Sequence, residues 1–495
     1  MLKRLFLIVV AVTALIATRA VATETPNIVW IFSDDHSFQT IGAYGGPLQS
    51  LNPSPNIDRL AREGMRFDRA YVGNSICAPS RATLLTGKHS HLHGKIDNRG
   101  PFNHDQPQFQ KILRNNNVQT VMVGKIHLAG KMQGFDYWEV LPGQGKYYDP
   151  VFITEQGKTQ YKGQYVSDVI TNRAINWLEN ERDTERPFMM MVHHKAPHRN
   201  WQPAKQHMTK YADVEIPEPA NLMDDYSTRG IAARKQEMEI DRHMSLGSDL
   251  KLGGSFANDP QYAARNEWFA KNKPVGSELV KWKYQNYLKD YLRCTWAVDE
   301  SVGKILDSLD AQGLSENTIV MYCSDQGFYM GEHGWFDKRF MYEESFRTPL
   351  IARWPGHIQP GSVNTDLVQN IDFAQTFLDL ADAPIPDDMQ GASLVPLFQG
   401  KTPSDWRDSL YYHYYEYPGT HAVRRHEGVF DGQWKLIRFY GQDVPDGEQW
   451  ELYDLKTDPA EMKNRYGDPT TSERIDLLKK ELARLRDVYD VPDND

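Results

Sequence analysis

The sequence has few cysteines and almost no long apolar stretches. Of its 495 residues only Cys77, Cys294 and Cys323 are cysteine, which is too few for a disulfide framework and lacks the paired spacing of a zinc site. Apolar residues make up 40% and charged residues 25%, so the composition excludes a disordered, collagen-like or coiled-coil chain. The formal net charge of −10 argues against a general binder of nucleic acid or anionic membrane, and any anionic ligand needs a local basic pocket.

An apolar run stands near the start of the chain. Lys3 and Arg4 precede apolar residues from Leu5 to Ala17, and Ala20-Val21-Ala22 has the small residues of a cleavage site. The run is too short to cross a bilayer, which takes about 20 residues, and no other run reaches that length. We therefore expect residues 1–22 to be a signal peptide cleaved near Ala22. The mature protein is then exported, either periplasmic or secreted, with no membrane span.

Short apolar runs that end in polar residues recur along the chain. Each passes into Asp, His or Lys, and the runs are Asn27–Phe32, Thr120–Val123, Phe188–Val192 and Thr318–Tyr322. Helical spacing of apolar residues separates them, in Asp58–Arg66, Tyr165–Asn180 and Tyr284–Leu309. Alternating strands and helices predict an α/β fold with a large, mostly parallel central sheet flanked by helices. Ligands bind beyond the carboxyl ends of such strands, so we expect one polar site at a single sheet edge.

The pattern changes beyond residue 400. Residues 428–438 combine two strands with an Asp-Gly turn, residues 450–455 form a further strand, and a final helix places Ile475, Leu478, Leu482 and Leu485 on one face. We predict an α/β domain over residues 23–400 and a small C-terminal α+β subdomain with an antiparallel sheet over residues 401–495. The polar residues 224–275 predict an irregular insertion near the site or at the surface.

Acidic residues at two strand ends form a candidate metal site. Asp34 and Asp35 follow the first strand, and Asp325 and Gln326 follow the fourth. Three carboxylates and an amide oxygen favour a hard cation such as Ca²⁺ over zinc. The alternative for Asp34 and Asp35 is a turn or a helix cap, where adjacent acids commonly occur.

The segment Cys77-Ala78-Pro79-Ser80-Arg81, followed by Thr86-Gly87, resembles the signature of the type I sulfatases. In that family a dedicated formylglycine-generating enzyme oxidises the cysteine to formylglycine (3-oxoalanine). The resemblance therefore implies that Cys77 is modified and that this maturation enzyme is a partner. A hydrated aldehyde is a covalent nucleophile whose second hydroxyl later expels the sulfate. The alternative is that Cys77 is a buried small hydrophobic residue.

The resemblance also implies roles for the other polar residues. It implies one Ca²⁺ ion held by Asp34, Asp35, Cys77, Asp325 and Gln326. Arg81 holds the formylglycine, and Asp325 assists deprotonation of its hydrate. Gly124-Lys125-Ile126-His127 resembles the G-K-x-H segment, in which Lys125 binds the sulfate and His127 removes a proton from the second hydroxyl.

Two further segments resemble family motifs. Ala196-Pro197-His198 resembles the segment whose histidine protonates the leaving alcohol, and Gly331–Lys338 resembles the segment whose lysine binds the sulfate. We expect sugar recognition from Arg199 and Trp201, which directly follow His198. His421 and Arg424, at the start of the C-terminal subdomain, are further candidates for contacting the sugar. The tyrosines of residues 411–417 could stack on a sugar ring or form an aromatic seam between domains, and both readings stay open.

Taken over the chain, the resemblance implies the alkaline-phosphatase-like sandwich and hydrolysis of sulfate monoesters. Residues 327–349 look most like bacterial exo-acting carbohydrate sulfatases, and residues 194–201 like those acting on 6-O-sulfated N-acetylglucosamine in glycosaminoglycans or mucins. One alternative is a phosphonate or phosphate ester hydrolase of the same superfamily. The other is a non-catalytic protein that binds sulfated glycans and never matures Cys77.

Overall fold

The structure is a computed structural model that describes residues 25–493, so the predicted signal peptide lies outside the described residues. The strands are β1 (Asn27–Ser33), β2 (Met65–Phe67), β3 (Ala70–Tyr71), β4 (Gln119–Gly124), β5 (Tyr137–Val140), β6 (Val151–Thr154), β7 (Gly157–Gln160), β8 (Phe188–His193), β9 (Thr318–Ser324), β10 (Leu350–Arg353), β11 (Ser362–Asn364), β12 (Val368–Gln369), β13 (Leu410–Tyr414), β14 (His426–Phe430), β15 (Trp434–Tyr440) and β16 (Glu448–Asp454).

The helices of the same residues surround these strands. They are α1 (Pro55–Arg62), α2 (Cys77–Thr86), α3 (Ser90–His93), α4 (Phe109–Asn115), α5 (Val166–Asn180), α6 (Ile231–Lys235), α7 (Ala263–Asn272), α8 (Gly276–Ala311), α9 (Glu343–Phe346), α10 (Phe373–Leu380), α11 (Val395–Phe398) and α12 (Ser472–Val488). None of them is long and apolar enough to cross a membrane.

The large sheet has the strand order β11-β2-β10-β9-β1-β8-β4-β5-β6-β7 over the described residues. Its centre is parallel, because β1 pairs in parallel with β8 and β9, and β4 pairs in parallel with β8 and β5. Antiparallel partners are added toward both sides by β10 and by β6 and β7. The predicted α/β fold with a mostly parallel sheet is confirmed.

The sheet is buried on both faces. Along β1, Val29 and Ile31 pack into a core with α5 and α8, whereas Ile28, Trp30 and Phe32 pack into a second core with α2 and α10. Side chains of a strand point alternately to opposite faces, so a strand covered on both sides reads as one continuous apolar run. Each fully buried large apolar side chain contributes roughly 1.5–3 kcal/mol, which holds the central strands in place.

The four predicted central strands are confirmed as β1, β4, β8 and β9. The second predicted helix is α5, which begins one residue later at Val166, and the third lies within α8. The helix predicted over Asp58–Arg66 is wrong at its end, because α1 stops at Arg62 and Met65–Phe67 is strand β2. At Gly64 an added Cβ would lie 2.2 Å from the carbonyl oxygen of Ala352. The chain therefore turns close against β10 and pairs with it instead of continuing the helix.

The C-terminal part forms a four-stranded antiparallel sheet in the order β13-β14-β15-β16. The predicted Asp-Gly hairpin is β14–β15, and α12 buries Ile475, Leu478, Leu482 and Leu485. β13, which carries several of the tyrosines of residues 411–417, is a buried strand of this sheet. The domain boundary at residue 400 stays a prediction. The insertion 224–275 contains the short helices α6 and α7 between irregular stretches.

Candidate active site

The carboxyl ends of four neighbouring strands bring the predicted polar residues together. Asp34 and Asp35 follow β1, Asp325 and Gln326 follow β9, Lys125 follows β4, and His198 follows β8. These strands lie side by side in the order β9-β1-β8-β4 and run in parallel, so their ends share one edge of the sheet. α2 and residues 325–342 complete the site by contributing Cys77, Arg81 and Lys338.

The three carboxylates are buried and linked to one another. The backbone N–H of Asp35 donates to Oδ1 of Asp325 at 2.9 Å. The Gln326 amide donates to Asp325 Oδ1 at 2.8 Å and to Asp35 Oδ1 at 2.5 Å. Asp34 lies beside this pair and, like Asp325, is wholly without solvent exposure. Three adjacent acids without contact to water need compensating positive charge.

The pKa values of the carboxyl groups reflect burial and mutual repulsion. Burial raises the pKa of Asp325 to about 7, and the neighbouring Asp34 adds to the increase. Burial also raises the pKa of Asp35 to about 6, although Lys338 opposes the shift. Burial acts on Asp34 in the same direction, but cations led by Lys125 outweigh it and hold the pKa of Asp34 well below its usual range.

Three cationic side chains face these carboxylates. Lys125 donates to Asp34, and Lys338 donates to Asp35. The guanidinium of Arg81 donates to Oδ2 of Asp325 through Nε at 3.3 Å and Nη2 at 3.2 Å. It also lies 3.3 Å from Oδ1 of Asp34. Positive groups held at fixed positions in a buried site can stabilise negative charge that develops on a bound anion.

Cys77 is the first residue of α2, and Arg81 lies one turn further along the same helix. The Cys77 Sγ atom accepts from the Lys338 ammonium at 3.2 Å, and the side chain is buried. Burial raises the pKa of the unmodified Cys77 thiol. The N-terminus of a helix also favours negative charge, so the position suits an anionic nucleophile or a bound anion.

The acidic residues and Cys77 have the geometry of a metal site. One ligand atom from each of Asp34, Asp35, Cys77 and Asp325 lies within 4.8 Å of the others. Oδ2 of Asp35 and Oε1 of Gln326 are buried without a hydrogen-bond partner among the described residues. Oxygen atoms left unpaired in this way fit a hard divalent cation, which would also favour the ionised carboxyl groups.

Two histidines line the site. Nδ1 of His198 donates to the carbonyl oxygen of Arg199 at 2.5 Å, and its Nε2 lies 3.8 Å from Oδ2 of Asp35. The amide of Gln144 lies 3.2 Å from Nε2 of His127. Burial lowers the pKa of both imidazoles well below the usual range, and the neighbouring Lys125 adds to the effect.

Of the four residues predicted to recognise the sugar, only Arg199 and His421 are connected to the site. Arg199 is fixed by Asp249, to which its Nε and Nη2 donate at 2.8 and 2.7 Å, and its Nη1 lies 3.4 Å from Nε2 of His421. His421 in turn lies 3.1 Å from Oδ2 of Asp337, the residue before Lys338. These contacts connect Arg199 and His421 to the loop that supplies Lys338.

Trp201 and Arg424 do not join this group. Trp201 belongs to the apolar core that includes α5 and α8, with its ring centroid 4.5 Å from that of Tyr287, so the structure gives it a packing position in place of the predicted sugar contact. The Nη1 atom of Arg424 donates to the carbonyl oxygens of Ala422 at 3.1 Å and of Lys235 at 3.4 Å. These contacts hold it between the C-terminal loop and α6.

Sequence reasoning missed three residues that the fold adds to the site. Gln144 contacts both Lys125 and His127, Asn98 accepts from the backbone N–H of Ala78 at 3.0 Å, and Asp249 pairs with Arg199. Gln144 stands between two glycines, which is a weak signal for a tight functional loop. Asp249 and Asn98 lie in polar segments with no motif to single them out.

Comparison with family models matches nearly the whole described chain. The model described as Sulfatase matches residues 26–383, and the model described as N-sulphoglucosamine sulphohydrolase, C-terminal, matches residues 331–488. The chain is 46% identical over 501 residues to an N-acetylglucosamine-6-O-sulfatase of Bacteroides thetaiotaomicron, covering 96% of this chain and 88% of that protein. It is 29% identical over 423 residues to the human N-acetylglucosamine-6-sulfatase, covering 80% of this chain and 67% of the human protein.

Solved structures show the same fold. One, described as a complex with its substrate D-glucosamine-2-N,6-O-disulfate, superposes with a TM-score of 0.91 at 45% identity and covers 95% of this chain and 99% of that chain. A phosphonate monoester hydrolase of Silicibacter pomeroyi superposes with a TM-score of 0.72 at 20% identity, covering 93% and 95% of the two chains, and shares the fold alone. With its strand-end cluster and these matches, the chain belongs to the sulfatase family and is a sulfuric ester hydrolase of alkaline-phosphatase-like fold.

Proposed function

We propose that this chain removes the 6-O-sulfate from terminal N-acetylglucosamine or N-sulfated glucosamine residues of sulfated carbohydrates. The observation that carries the proposal is the position of Cys77, which lies between three buried carboxylates and the cations Lys125, Lys338 and Arg81. The substrate class follows from a relative 46% identical to this chain, whose name is N-acetylglucosamine-6-O-sulfatase.

Two groups that the sulfatase family uses fit the site. Ca²⁺ would be held by Asp34, Asp35, Asp325, Gln326 and the modified Cys77, and when bound it polarises the nucleophile and a sulfate oxygen. Formylglycine at position 77, once water has added to its aldehyde, would supply one hydroxyl that attacks sulfur and a second that allows sulfate to leave as the carbonyl forms again. The maturation of Cys77 requires a formylglycine-generating enzyme as partner.

The cations of the chain bind and orient the sulfate. Lys125 and Lys338 contact different carboxylates of the cluster, so two ammonium groups are held inside the site where they can bind sulfate oxygens. Arg81 is fixed by Asp325 and by the Lys125 carbonyl, to which its Nη1 donates at 2.6 Å. Charge that develops on the transferring sulfuryl group is thus stabilised by groups that need no reorganisation.

His198 protonates the departing sugar oxygen. Because the Arg199 carbonyl oxygen can only accept, Nδ1 of His198 carries a hydrogen and its Nε2 is the nitrogen available to the substrate. Burial lowers the pKa of His198, so a proton on Nε2 is readily given up, and a bound sulfate anion favours the protonated form. A sugar alkoxide is a poor leaving group and depends on this proton.

The sugar ring is recognised on the side of Arg199 and His421. Asp249, which is wholly buried, accepts from both Arg199 and the Asn200 amide and so fixes the guanidinium at the rim. A cation held in this way suits an anionic substituent of the sugar, such as an N-sulfate or a neighbouring uronate. The signal peptide predicted over residues 1–22 supports an exported protein that acts outside the cytoplasm.

Sulfate release from defined sugars tests the proposal. The protein is produced together with a formylglycine-generating enzyme, and mass spectrometry of the Cys77 peptide verifies a loss of about 18 Da, the difference between cysteine and formylglycine. We expect release from 6-O-sulfated N-acetylglucosamine and from glucosamine carrying N- and 6-O-sulfate. The 3-O-sulfated isomer of N-acetylglucosamine is the matched control and should remain intact.

Two outcomes would contradict the proposal. Faster hydrolysis of a phosphonate or phosphate ester than of any sulfate ester would favour the phosphonate hydrolase alternative. An unmodified Cys77 in the native host, together with tight binding of sulfated glycans and no sulfate release, would favour the binding protein.

A further inference from the structure

Gln144 lies in a tight turn of the connection between β5 and β6, where the Gly145 N–H donates to the Pro142 carbonyl oxygen at 3.0 Å. Its neighbours Gly143 and Gly145 have φ angles of 54° and 66°, in the left-handed region that favours glycine. The loop thereby brings the half-buried Gln144 side chain between Lys125 and His127. No family motif named above includes this residue.

The orientation of the Gln144 amide is determined by Lys125. A lysine ammonium carries only donors, so the amide group that contacts it must be the oxygen Oε1. The amide nitrogen Nε2 then faces the imidazole of His127, 3.2 Å from its Nε2 atom. Turning the amide round would place two donors, the amide nitrogen and the ammonium, against each other.

The same contact determines the state of His127. Because the Gln144 nitrogen donates, Nε2 of His127 has to accept, and a neutral imidazole then carries its hydrogen on Nδ1. Burial lowers the pKa of His127, in agreement with a neutral ring. Nδ1 is buried and has no hydrogen-bond partner among residues 25–493, which leaves its N–H free for a group that enters the site.

We propose that Gln144 is a positioning residue that holds His127 in the Nδ1–H tautomer, so that His127 meets the bound substrate or the hydrated residue 77 as a hydrogen-bond donor. The role of that hydrogen bond in turnover rests on the proposed function, whereas the tautomer itself does not. The expectation that His127 begins as a base is revised, since a base at Nδ1 would first require rotation of the Gln144 amide.

Nitrogen NMR of protein labelled with ¹⁵N-histidine tests the tautomer directly. The resonances of His127 are identified by their loss in His127→Asn. We expect a pyrrole-type Nδ1 and a pyridine-type Nε2 in the wild type. Gln144→Glu, whose carboxylate can only accept, should reverse the two types, and Gln144→Met should give a mixture. A pyridine-type Nδ1 in the wild type, or no change in Gln144→Glu, would overturn the proposal.

Kinetics separate a positioning role from a merely structural one. Glutamate has nearly the shape of glutamine and keeps both contacts, so a structural role predicts that Gln144→Glu is milder than Gln144→Met. Tautomer control predicts the opposite order, with kcat lower by about 10-fold or more in Gln144→Glu. A smaller loss of kcat in Gln144→Glu than in Gln144→Met would overturn the proposed role of the tautomer in turnover. If the wild type released no sulfate at all, the proposed function would fail while the NMR result still decided the tautomer.

Discussion

In the candidate active site, each buried carboxylate is balanced by a buried cationic side chain. Asp34, Asp35 and Asp325 face Lys125, Lys338 and Arg81, and all six side chains are nearly or wholly without solvent exposure. Removing one partner of a buried pair leaves an uncompensated charge, which costs about 3–5 kcal/mol. Substitutions here therefore affect folding and activity together, and conservative variants give the clearer tests.

His198→Ala should affect substrates according to their leaving group. We expect kcat/KM for 6-O-sulfated N-acetylglucosamine to fall by about 10²–10⁴, because the sugar oxygen loses its proton donor. An activated aryl sulfate such as 4-nitrophenyl sulfate needs no proton and should lose far less. Parallel kinetics on the two substrates make the comparison, and equal losses would remove His198 from the acid role.

Calcium should stabilise the protein through the carboxylate cluster. Because Asp35 Oδ2 and Gln326 Oε1 are buried without partners, a bound ion supplies the missing charge and raises Tm, and a chelator lowers it. Asp35→Asn should abolish most of the calcium-dependent shift. Thermal unfolding with and without Ca²⁺ measures the effect, and a shift of unchanged size in Asp35→Asn would place the ion elsewhere.

At the scale of elements, a residue of α8 caps α1. Oδ1 of Asp299 accepts from the backbone N–H groups of Asn56 and Ile57 at 2.9 Å each, which are donors that the first turn of α1 cannot satisfy internally. The cap comes from a residue 242 positions away in sequence from Ile57, so it connects two helices on the same face of the sheet. Burial raises the pKa of Asp299 to about 7.

The raised pKa makes this cap sensitive to pH. The folded protein holds the proton on Asp299 more tightly than the unfolded chain, so its contribution to stability is full below about pH 4 and is lost as pH rises through about 7. The side chain of Asp299→Asn cannot ionise. Between pH 4 and 7 the free energy of unfolding of this variant should therefore fall less than that of the wild type, with a difference of up to about 4 kcal/mol. Urea unfolding of both proteins from pH 4 to 7 measures the difference, and parallel curves would contradict it.

The turn between α1 and β2 requires glycine. An added Cβ at Gly64 would lie 2.2 Å from the Ala352 carbonyl oxygen and 2.8 Å from the Cα of Arg353, both in the backbone of β10. We expect Gly64→Ala to lower the free energy of unfolding by about 1–3 kcal/mol or more. At Gly467 nothing lies within 4 Å of such a Cβ, so Gly467→Ala is the matched control and should be neutral.

At the scale of the molecule, the C-terminal sheet is part of the site. One apolar cluster combines Trp335, Phe340 and Tyr342 of the Lys338 loop with Tyr412 and Phe439 of the C-terminal sheet. Polar contacts follow the same seam, since the Tyr342 hydroxyl donates to Glu451 at 2.7 Å and His421 contacts Asp337. The loop that supplies Lys338 therefore depends on the C-terminal sheet for its packing as well as on the α/β part of the chain.

Residues 25–400 alone should consequently not fold into an active protein. Truncation exposes the apolar cluster around Trp335 and leaves buried polar groups without partners. We expect poor solubility, loss of near-ultraviolet circular dichroism and no sulfatase activity, whereas the whole chain unfolds in one calorimetric transition. A soluble, active 25–400 fragment would show that the two parts are independent.

Much of the site could be predicted from the sequence because it lies at strand ends. A strand buried on both faces appears in the sequence as an apolar run. Where the run ends, the chain passes from the apolar core into the polar site, as at Asp34 and Asp325. The predicted helix end at Arg66 was wrong because a contact with distant β10 outweighs local helical spacing. Trp201 follows His198 closely in sequence but points into the core, and the sequence carries no signal for that direction.

The sequence by itself determined the strand ends, the Cys77 segment and the balance of carboxylates and cations, since each is a local pattern of residue types. Only the tertiary structure decided which distant groups complete them: Gln144 beside His127, Asp249 beside Arg199, and the C-terminal sheet behind Lys338. Hydrogen bonds and packing between residues far apart in sequence depend on the tertiary fold, which no local sequence pattern predicts.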